Sequence, residues 1–361
     1  MIIAVDAMGG DKGPKVVVEG AVHAAQAYGI QVLLVGYEDI VKEELSKYNL
    51  KGLSIYVKHA PEVVAMHELP SLALRQKKKS SITVATSLQR SGEADAVISA
   101  GNTGAAMAVA KVYLGTLKGV ERPAIATLLP TRKGFTIMLD VGANVDCNPS
   151  QFLQFAIMGS IYSKYIFKVE SPSIGLLNIG EEEGKGSDLI KEAFRTLKEA
   201  PINFIGNVEG GDVYRGKVDV VVCDGFVGNI VLKISESVAE MVEVLLKEEF
   251  EKRFFSKVGY LLARPSFKAF KRKVDYSEYG GAPLLGINGV VIISHGRSDA
   301  KAIKNAIKVA SEFVKNNVNK HICESINALN PLTVDHSNIP VGSRKGSAGI
   351  WQQLKESIVR K

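Results

Sequence analysis

Met1-Ile-Ile-Ala-Val-Asp6, then Ala7-Met-Gly-Gly-Asp-Lys-Gly13 and Pro14, is the stretch that decides the fold. Ile2 to Val5 is an unbroken apolar run ending in a carboxylate, the pattern of a strand covered on both faces. The glycine-rich segment is a loop, and Pro14, whose fixed φ suits a first helical turn, starts a helix. The same order recurs outward along the chain. Gln31 to Val35 ends at Gly36 and gives way to a helix from about Glu38 to Tyr48. Further strands are expected at Ala96 to Ser99, Ala124 to Leu129, Thr136 to Asp140, Gly175 to Asn178, Asn203 to Ile205 and Val218 to Asp224. Strands separated by helices pair in parallel through right-handed crossovers. The expectation is a doubly wound α/β sheet with ligands outside the carboxyl ends of its strands.

One stretch breaks the alternation. From Ser235 to Val274 the chain is helical, with Phe250, Phe254, Val258, Leu261 and Leu262 on one face and Lys and Arg on the other. Pro265 is expected to divide it into two arms of a projecting helical hairpin. One domain over 1–325, including this hairpin at about 235–275, and a partly flexible tail over 326–361 complete the organisation.

Charge follows the same division. The net charge is +7, yet eight basic and no acidic residues lie between Lys252 and Val274, so the rest of the chain is near −1. The basicity is a local patch that suits one anionic surface partner. Hydrophobic residues make up 46% and charged residues 23%, values of a folded chain. No apolar run reaches bilayer length, and the N-terminus lacks a basic signal region, so a cytoplasmic protein is expected. Cys147, Cys223 and Cys323 form no CxxC pair, and the Asp and Glu residues show no metal-ligand spacing. Neither a metal nor a cofactor is called for.

Chemistry concentrates in loops that pair Gly with Asn or Asp where strands end. They are Asp6 to Asp11, Ser99 to Ala105, Leu139 to Asn144, Asn178 to Gly186, Gly206 to Asp212 and Asp224 to Asn229, and Gly280 to Gly286 adds a glycine-rich segment without Asn or Asp. Glycine admits close backbone approach, and a loop feeding a helix points free N–H groups at an anion. No G-x-G-x-x-G follows a strand, and Gly180 to Ser187 misses the P-loop spacing while carrying three glutamates.

These loops, quoted as Asp6-Ala-Met-Gly-Gly-Asp11, Ala100-Gly-Asn-Thr-Gly-Ala105, Asp140-Val-Gly-Ala-Asn144, Asn178-Ile-Gly-Glu-Glu, Lys185-Gly186, Asp224-Gly-Phe-Val-Gly-Asn229 and Gly280-Gly-Ala-Pro-Leu-Leu-Gly286, resemble the PlsX family of acyl-ACP:phosphate acyltransferases. The resemblance is collinear from Met1 to about Asn319. It implies a three-layer α/β/α fold related to phosphotransacetylases and isocitrate dehydrogenases, a homodimer, and peripheral membrane association. It also implies acyl carrier protein and inorganic phosphate as partners, and a downstream acyl-phosphate:glycerol-3-phosphate acyltransferase that consumes the product. By resemblance the catalytic group is Lys185, Asp224 and Asn229. Substrate contacts are expected from Asp6, Gly9, Gly10, Asn102, Thr103, Gly104, Asp140, Asn144, Gly186 and His295. A membrane or carrier surface is expected from Phe254, Val258, Leu261, Leu262, Arg264, Lys268, Lys271 and Arg272.

The residues suit that reaction independently. Phosphate is partly dianionic near neutral pH and can attack a thioester if it is positioned and the oxyanion is stabilised. Lys185 and glycine-flanked amides supply the first need, and Asn side chains the second. Bland alternatives stand beside each: a solvated loop lysine for Lys185, and helix caps for Asp224 and Asn229. Cys223 sits in an apolar strand, and Cys147 has no neighbouring histidine. His295 suits a substrate contact or a structural role equally. Rival functions are transfer to coenzyme A, an inactive membrane scaffold, and DNA binding, the last without any reading motif.

Overall fold

The computed structural model describes residues 1–252, 254–274 and 280–333. The first half holds β1 (Ile2–Asp6), α1 (Gly13–Tyr28), β2 (Gln31–Gly36), α2 (Glu38–Leu45), β3 (Ile55–His59), α3 (Pro70–Gln76), α4 (Ser81–Arg90), β4 (Ala96–Ser99) and α5 (Thr103–Tyr113). Then follow β5 (Ala124–Thr131), β6 (Gly134–Leu139), α6 (Pro149–Phe167), β7 (Ile174–Leu177), α7 (Asp188–Glu199), β8 (Phe204–Val208), α8 (Gly210–Arg215) and β9 (Val220–Val222). The chain continues through α9 (Gly225–Lys252), α10 (Phe254–Val274), β10 (Ala282–Leu285), β11 (Val291–Ile293), α11 (Ala300–Lys315) and α12 (Val318–Thr333).

Eleven strands form one sheet in the order β3-β2-β1-β4-β11-β10-β5-β6-β9-β7-β8. Alternate residues of each strand pack on opposite faces, as the period of two requires. Ile3 and Val5 join α1, α2 and α11 on one face, while Ala4 packs with α4 and α5 on the other. Val220 and Val222 likewise meet α6, α7 and α12, and Val221 faces the layer of α8 and α9. Both faces are covered, so the fold is three-layer α/β/α. Local signals agree: α6 opens with Pro149 behind an Asn148–Gln151 capping box, and α1 ends at Gly29 in the left-handed region.

Two blocks are parallel, β3-β2-β1-β4-β11 and β6-β9-β7-β8. Between them β11–β10, β10–β5 and β5–β6 pair antiparallel. Three successive reversals leave the two blocks running in opposite directions. The sheet is mostly parallel, as expected, and departs from parallel pairing only at its centre. Only two residues, Arg132 and Lys133, separate β5 from β6, too few for a crossover helix and enough for a hairpin. The segment from Gly280 to Gly286, expected as a loop, contains β10, with Leu284 and Leu285 buried. The segment from Asp224 to Asn229 is likewise the start of α9, ten residues before the expected helix at Ser235.

The hairpin stands, with its break moved. Helix α9 ends at Lys252, α10 begins at Phe254, and α10 runs through Pro265. Tyr260 and Phe267, on opposite sides of that proline, both pack on Phe250 of α9, with centroids 5.3 and 5.2 Å away. That contact needs Phe267 to stay in helical phase with Tyr260, which offsets the lost backbone donor. Leu261 and Leu262 are 65% and 78% exposed, and Arg264 is exposed. The side chains of Phe254, Val258, Lys268, Lys271 and Arg272 lie outside the described part, as does the chain after 333. Helix α12 continues past residue 325 to Thr333, so the expected tail begins inside a helix.

Candidate active site

The carboxyl ends of β6, β9 and β7 are neighbours at one edge of the sheet. Asp140, just after β6, is fully buried. Its Oδ1 accepts from the Ile125 and Ala143 amides at 3.0 and 3.1 Å, and its Oδ2 from the Asn144 amide and side chain at 2.6 and 2.9 Å. Asn144 Nδ2 also reaches the Pro123 carbonyl at 2.7 Å. Burial pushes the Asp140 carboxyl above its usual range, against those hydrogen bonds. Asp140 and Asn144 thus form a platform, with both Asp140 oxygens engaged.

Helix α9 starts on that platform. The Gly225 amide donates to the Asn144 carbonyl at 2.7 Å. Asp224 Oδ1 caps the Val227 amide at 2.8 Å, and Oδ2 has no hydrogen-bond partner among the described residues. Gly228 touches the platform directly, since a Cβ there would lie 1.9 Å from the Asp140 carbonyl oxygen. Only glycine allows the helix so close. Asn229 follows, half-buried, its Cγ 3.6 Å from where a Cβ on Gly142 would stand. Its amide has no hydrogen-bond partner among the described residues.

Beyond β7, the loop carrying Lys185 is held from both sides. The Lys185 amide donates to the Glu182 carbonyl at 3.1 Å, and Asn207 Nδ2, from β8, donates to that same carbonyl at 2.9 Å. Asn178 Nδ2 donates to the Lys185 carbonyl at 3.1 Å. Gly186, at φ +89, lets Asn178 in, because a Cβ there would sit 2.7 Å from Asn178 Oδ1. Two of the three glutamates are drawn aside, Glu181 by Lys217 and Glu183 by Lys198, each at 2.5 Å. The Lys185 ammonium is exposed and has no ion-pair partner among the described residues. Its backbone is pinned and its charge is available.

The other predicted site residues gather at the opposite edge, where β1, β4 and β11 end. Asp6 is 3% exposed and accepts from Ser99 Oγ at 2.7 Å, and burial raises its carboxyl above the ordinary range. Gly9 packs against Gly101, and Gly10 borders the Gly296 carbonyl. Asn102 Oδ1 caps α5 at the Ala105 amide, and its Nδ2 donates to the Met66 and Glu68 carbonyls, both at 2.9 Å. Thr103 is exposed, Gly104 abuts Pro70, and the exposed His295 accepts the Arg297 amide at Nδ1.

The block reversal thus splits the predicted site in two. Five strand steps separate Asp6 from Asp140, about 24 Å laterally, so one small anion cannot touch both. Helix α9 joins them. Arg297 of the far edge lies 3.9 Å from Glu240, which is about 16 Å along α9 from Asn229. The sequence reading did not assign Asn178, Asn207 or Gly228 to the site. Asn178 and Asn207 stood in quoted Gly/Asn motifs, and Gly228 in a spacing of two glycines within one turn. Burial raises the Cys147 thiol to about 11, with Asp140 and Asp224 adding to it, so the thiol is poorly suited to nucleophilic attack.

The sheet order and its two covered faces define a three-layer α/β/α fold of phosphotransacetylase architecture. Solved structures of similar fold are a phosphotransacetylase from Streptococcus pyogenes (TM-score 0.58, 16% identity, 87% of this chain and 94% of that one) and one from Staphylococcus aureus (TM-score 0.57, 16% identity, the same coverage). Residues 1–321 match the family described as fatty acid synthesis protein, and the chain belongs to that family. Curated relatives named phosphate acyltransferase include one from Geotalea uraniireducens, 57% identical over 92% of this chain and 96% of its own length. Another, from Geobacter sulfurreducens, is 55% identical over 90% and 94%.

Proposed function

We propose that this protein is a phosphate acyltransferase that forms acyl phosphate from long-chain acyl-ACP and inorganic phosphate, feeding glycerolipid synthesis. The names of relatives at this identity support the reaction class. The observation that carries the reading to particular residues is the pinned Lys185, without an ion-pair partner among the described residues, one strand away from the Asp224-capped start of α9. A phosphate oxygen attacks the thioester carbonyl carbon there, the tetrahedral oxyanion collapses, and the C–S bond breaks to release the thiol. Lys185 holds phosphate and polarises the carbonyl, Asn229 donates to the oxyanion, and Asp224 Oδ2 orients Lys185 or takes a proton. The second loop set, about 16 Å along α9, suits a substrate with a long thioester arm.

Two further parts of the reading have structural support. Val227, Ile230, Ile234, Val238, Met241 and Leu245 follow helical spacing on α9, and all are at least 38% exposed. Such a stripe in a single chain favours a homodimer. Exposed Leu261 and Leu262 beside Arg264 favour reversible contact with an anionic membrane. No described helix is long and apolar enough to cross a membrane. The test is to mix protein, long-chain acyl-ACP and phosphate, and trap acyl phosphate with hydroxylamine. Acyl phosphate made only from acetyl-CoA, or thiol release without phosphate, would refute the proposal.

A further inference from the structure

The loop before α3 and α3 itself carry a surface that the reaction does not use. Met66, Leu69 and Leu72 are 40%, 63% and 45% exposed and lie within seven residues of one another. Arg75, Lys78 and Lys79 follow immediately, all exposed and none in an ion pair among the described residues. The nearby acid Glu68 is paired with Lys77, and Glu62 accepts the Lys79 amide at 2.8 Å. What remains is an apolar cluster rimmed by surplus positive charge, the composition of a protein-docking site.

This surface is firmly attached to the far edge of the cleft. Asn102 Nδ2 holds the Met66 and Glu68 carbonyls, Pro70 abuts Gly104, and the Met66 methyl packs on Gly296. Gly296 precedes Arg297, which meets α9 at Glu240. From there α9 leads about 16 Å to Asn229. A partner seated on the surface could therefore send a flexible arm along α9 toward Lys185.

We propose that Met66, Leu69 and Leu72, with Arg75, Lys78 and Lys79, dock the acidic body of acyl carrier protein at the far end of the cleft. The inference rests on the acyl-carrier reading above and assigns docking to α3, away from the basic hairpin. Charge complementarity favours an acidic protein, and adjacency to the cleft favours the substrate's carrier over a lipid surface, which needs no route to Lys185.

Two variants test it: a charge reversal, Arg75→Glu with Lys78→Glu and Lys79→Glu, and an apolar change, Leu69→Ser with Leu72→Ser. The measurements are affinity for palmitoyl-ACP at low and high salt, melting temperature, and binding to vesicles containing anionic lipid. Both variants are expected to keep the wild-type melting temperature and vesicle binding while losing about tenfold or more in carrier affinity. The loss from charge reversal is expected to shrink at high salt. Leu261→Glu with Leu262→Glu in the hairpin should leave carrier affinity unchanged. Wild-type affinity in both α3 variants overturns the proposal, as does loss of vesicle binding with carrier affinity intact. A wild-type protein that uses no acyl-ACP at all refutes the acyl-carrier reading itself, a separate result.

Discussion

Gly228→Ala acts where α9 leaves the sheet. The added Cβ would stand 1.9 Å from the Asp140 carbonyl oxygen and 2.9 Å from the Cys223 sulfur, where contacts under 3.0 Å are essentially never made. Relief requires a movement of about 1 Å. The Asp140 side fixes its loop through four hydrogen bonds to Oδ1 and Oδ2. The first turn of α9 is therefore the part that moves, and Asn229 moves with it. A misplacement of about 1 Å in a reacting constellation costs on the order of 100-fold in rate, or about 2.7 kcal/mol in the barrier. The strain itself lowers stability by about 1–3 kcal/mol. The assay is steady-state acyl phosphate formation together with a thermal melt. Gly210→Ala is the control, because a Cβ there meets nothing within 4 Å. A folded Gly228→Ala protein turning over within about threefold of wild type would refute the claim that this contact sets Asn229.

Asn207→Ala should slow turnover about tenfold alone and hardly at all in a Lys185→Ala background, itself slowed about 100-fold. Additive losses would mean that Asn207 supports the fold generally. Cys147, held protonated by a pKa of about 11, should react slowly with iodoacetamide at pH 8, where about one thiol in a thousand is ionised. Measured with Cys323→Ser, labelling should climb toward pH 11 and Cys147→Ser should retain activity. Fast labelling at pH 8 contradicts this. Leu261→Glu with Leu262→Glu should release the protein from anionic vesicles while soluble turnover persists, and retained binding would assign this tip to another contact.

Much of the fold was legible because it depends on local pattern. The apolar run of β1 followed by Gly9 and Gly10 identifies a buried strand and its loop from sequence alone. The reversal of the second block was not legible in the same way. It turns on the β5–β6 hairpin, whose two-residue turn Arg132-Lys133 carries no glycine or asparagine to announce it. In addition β10, four residues between Gly281 and Gly286, is a buried strand masked by its flanking glycines. The start of α9 was hidden for a related reason. Gly225 and Gly228 weaken helix propensity, yet their closeness to Asp140 outweighs that preference. Asn207 could not have been assigned to Lys185, because their link passes through a neighbouring strand and a carbonyl of Glu182.

The opposed blocks also bear on which thioester the proposed enzyme would use. A short donor bound beside Lys185 and Asn229 would leave the Asp6, Asn102 and His295 edge unused. Yet that edge is built as carefully as the other. Asp6 is buried at a cost to its ionised form, and Asn102 makes three hydrogen bonds within 3.0 Å. Groups held so firmly at a strand end serve either the fold or a ligand. Thr103 separates the two, because it is exposed beside Asn102 and has no hydrogen-bond partner among the described residues. A donor whose arm follows α9 would pass both edges and draw binding energy from the far one. Uniform binding of that kind lowers KM without raising kcat. Discrimination between carrier-bound and short thioesters would then lie in KM, with the chemical step at Lys185 common to both.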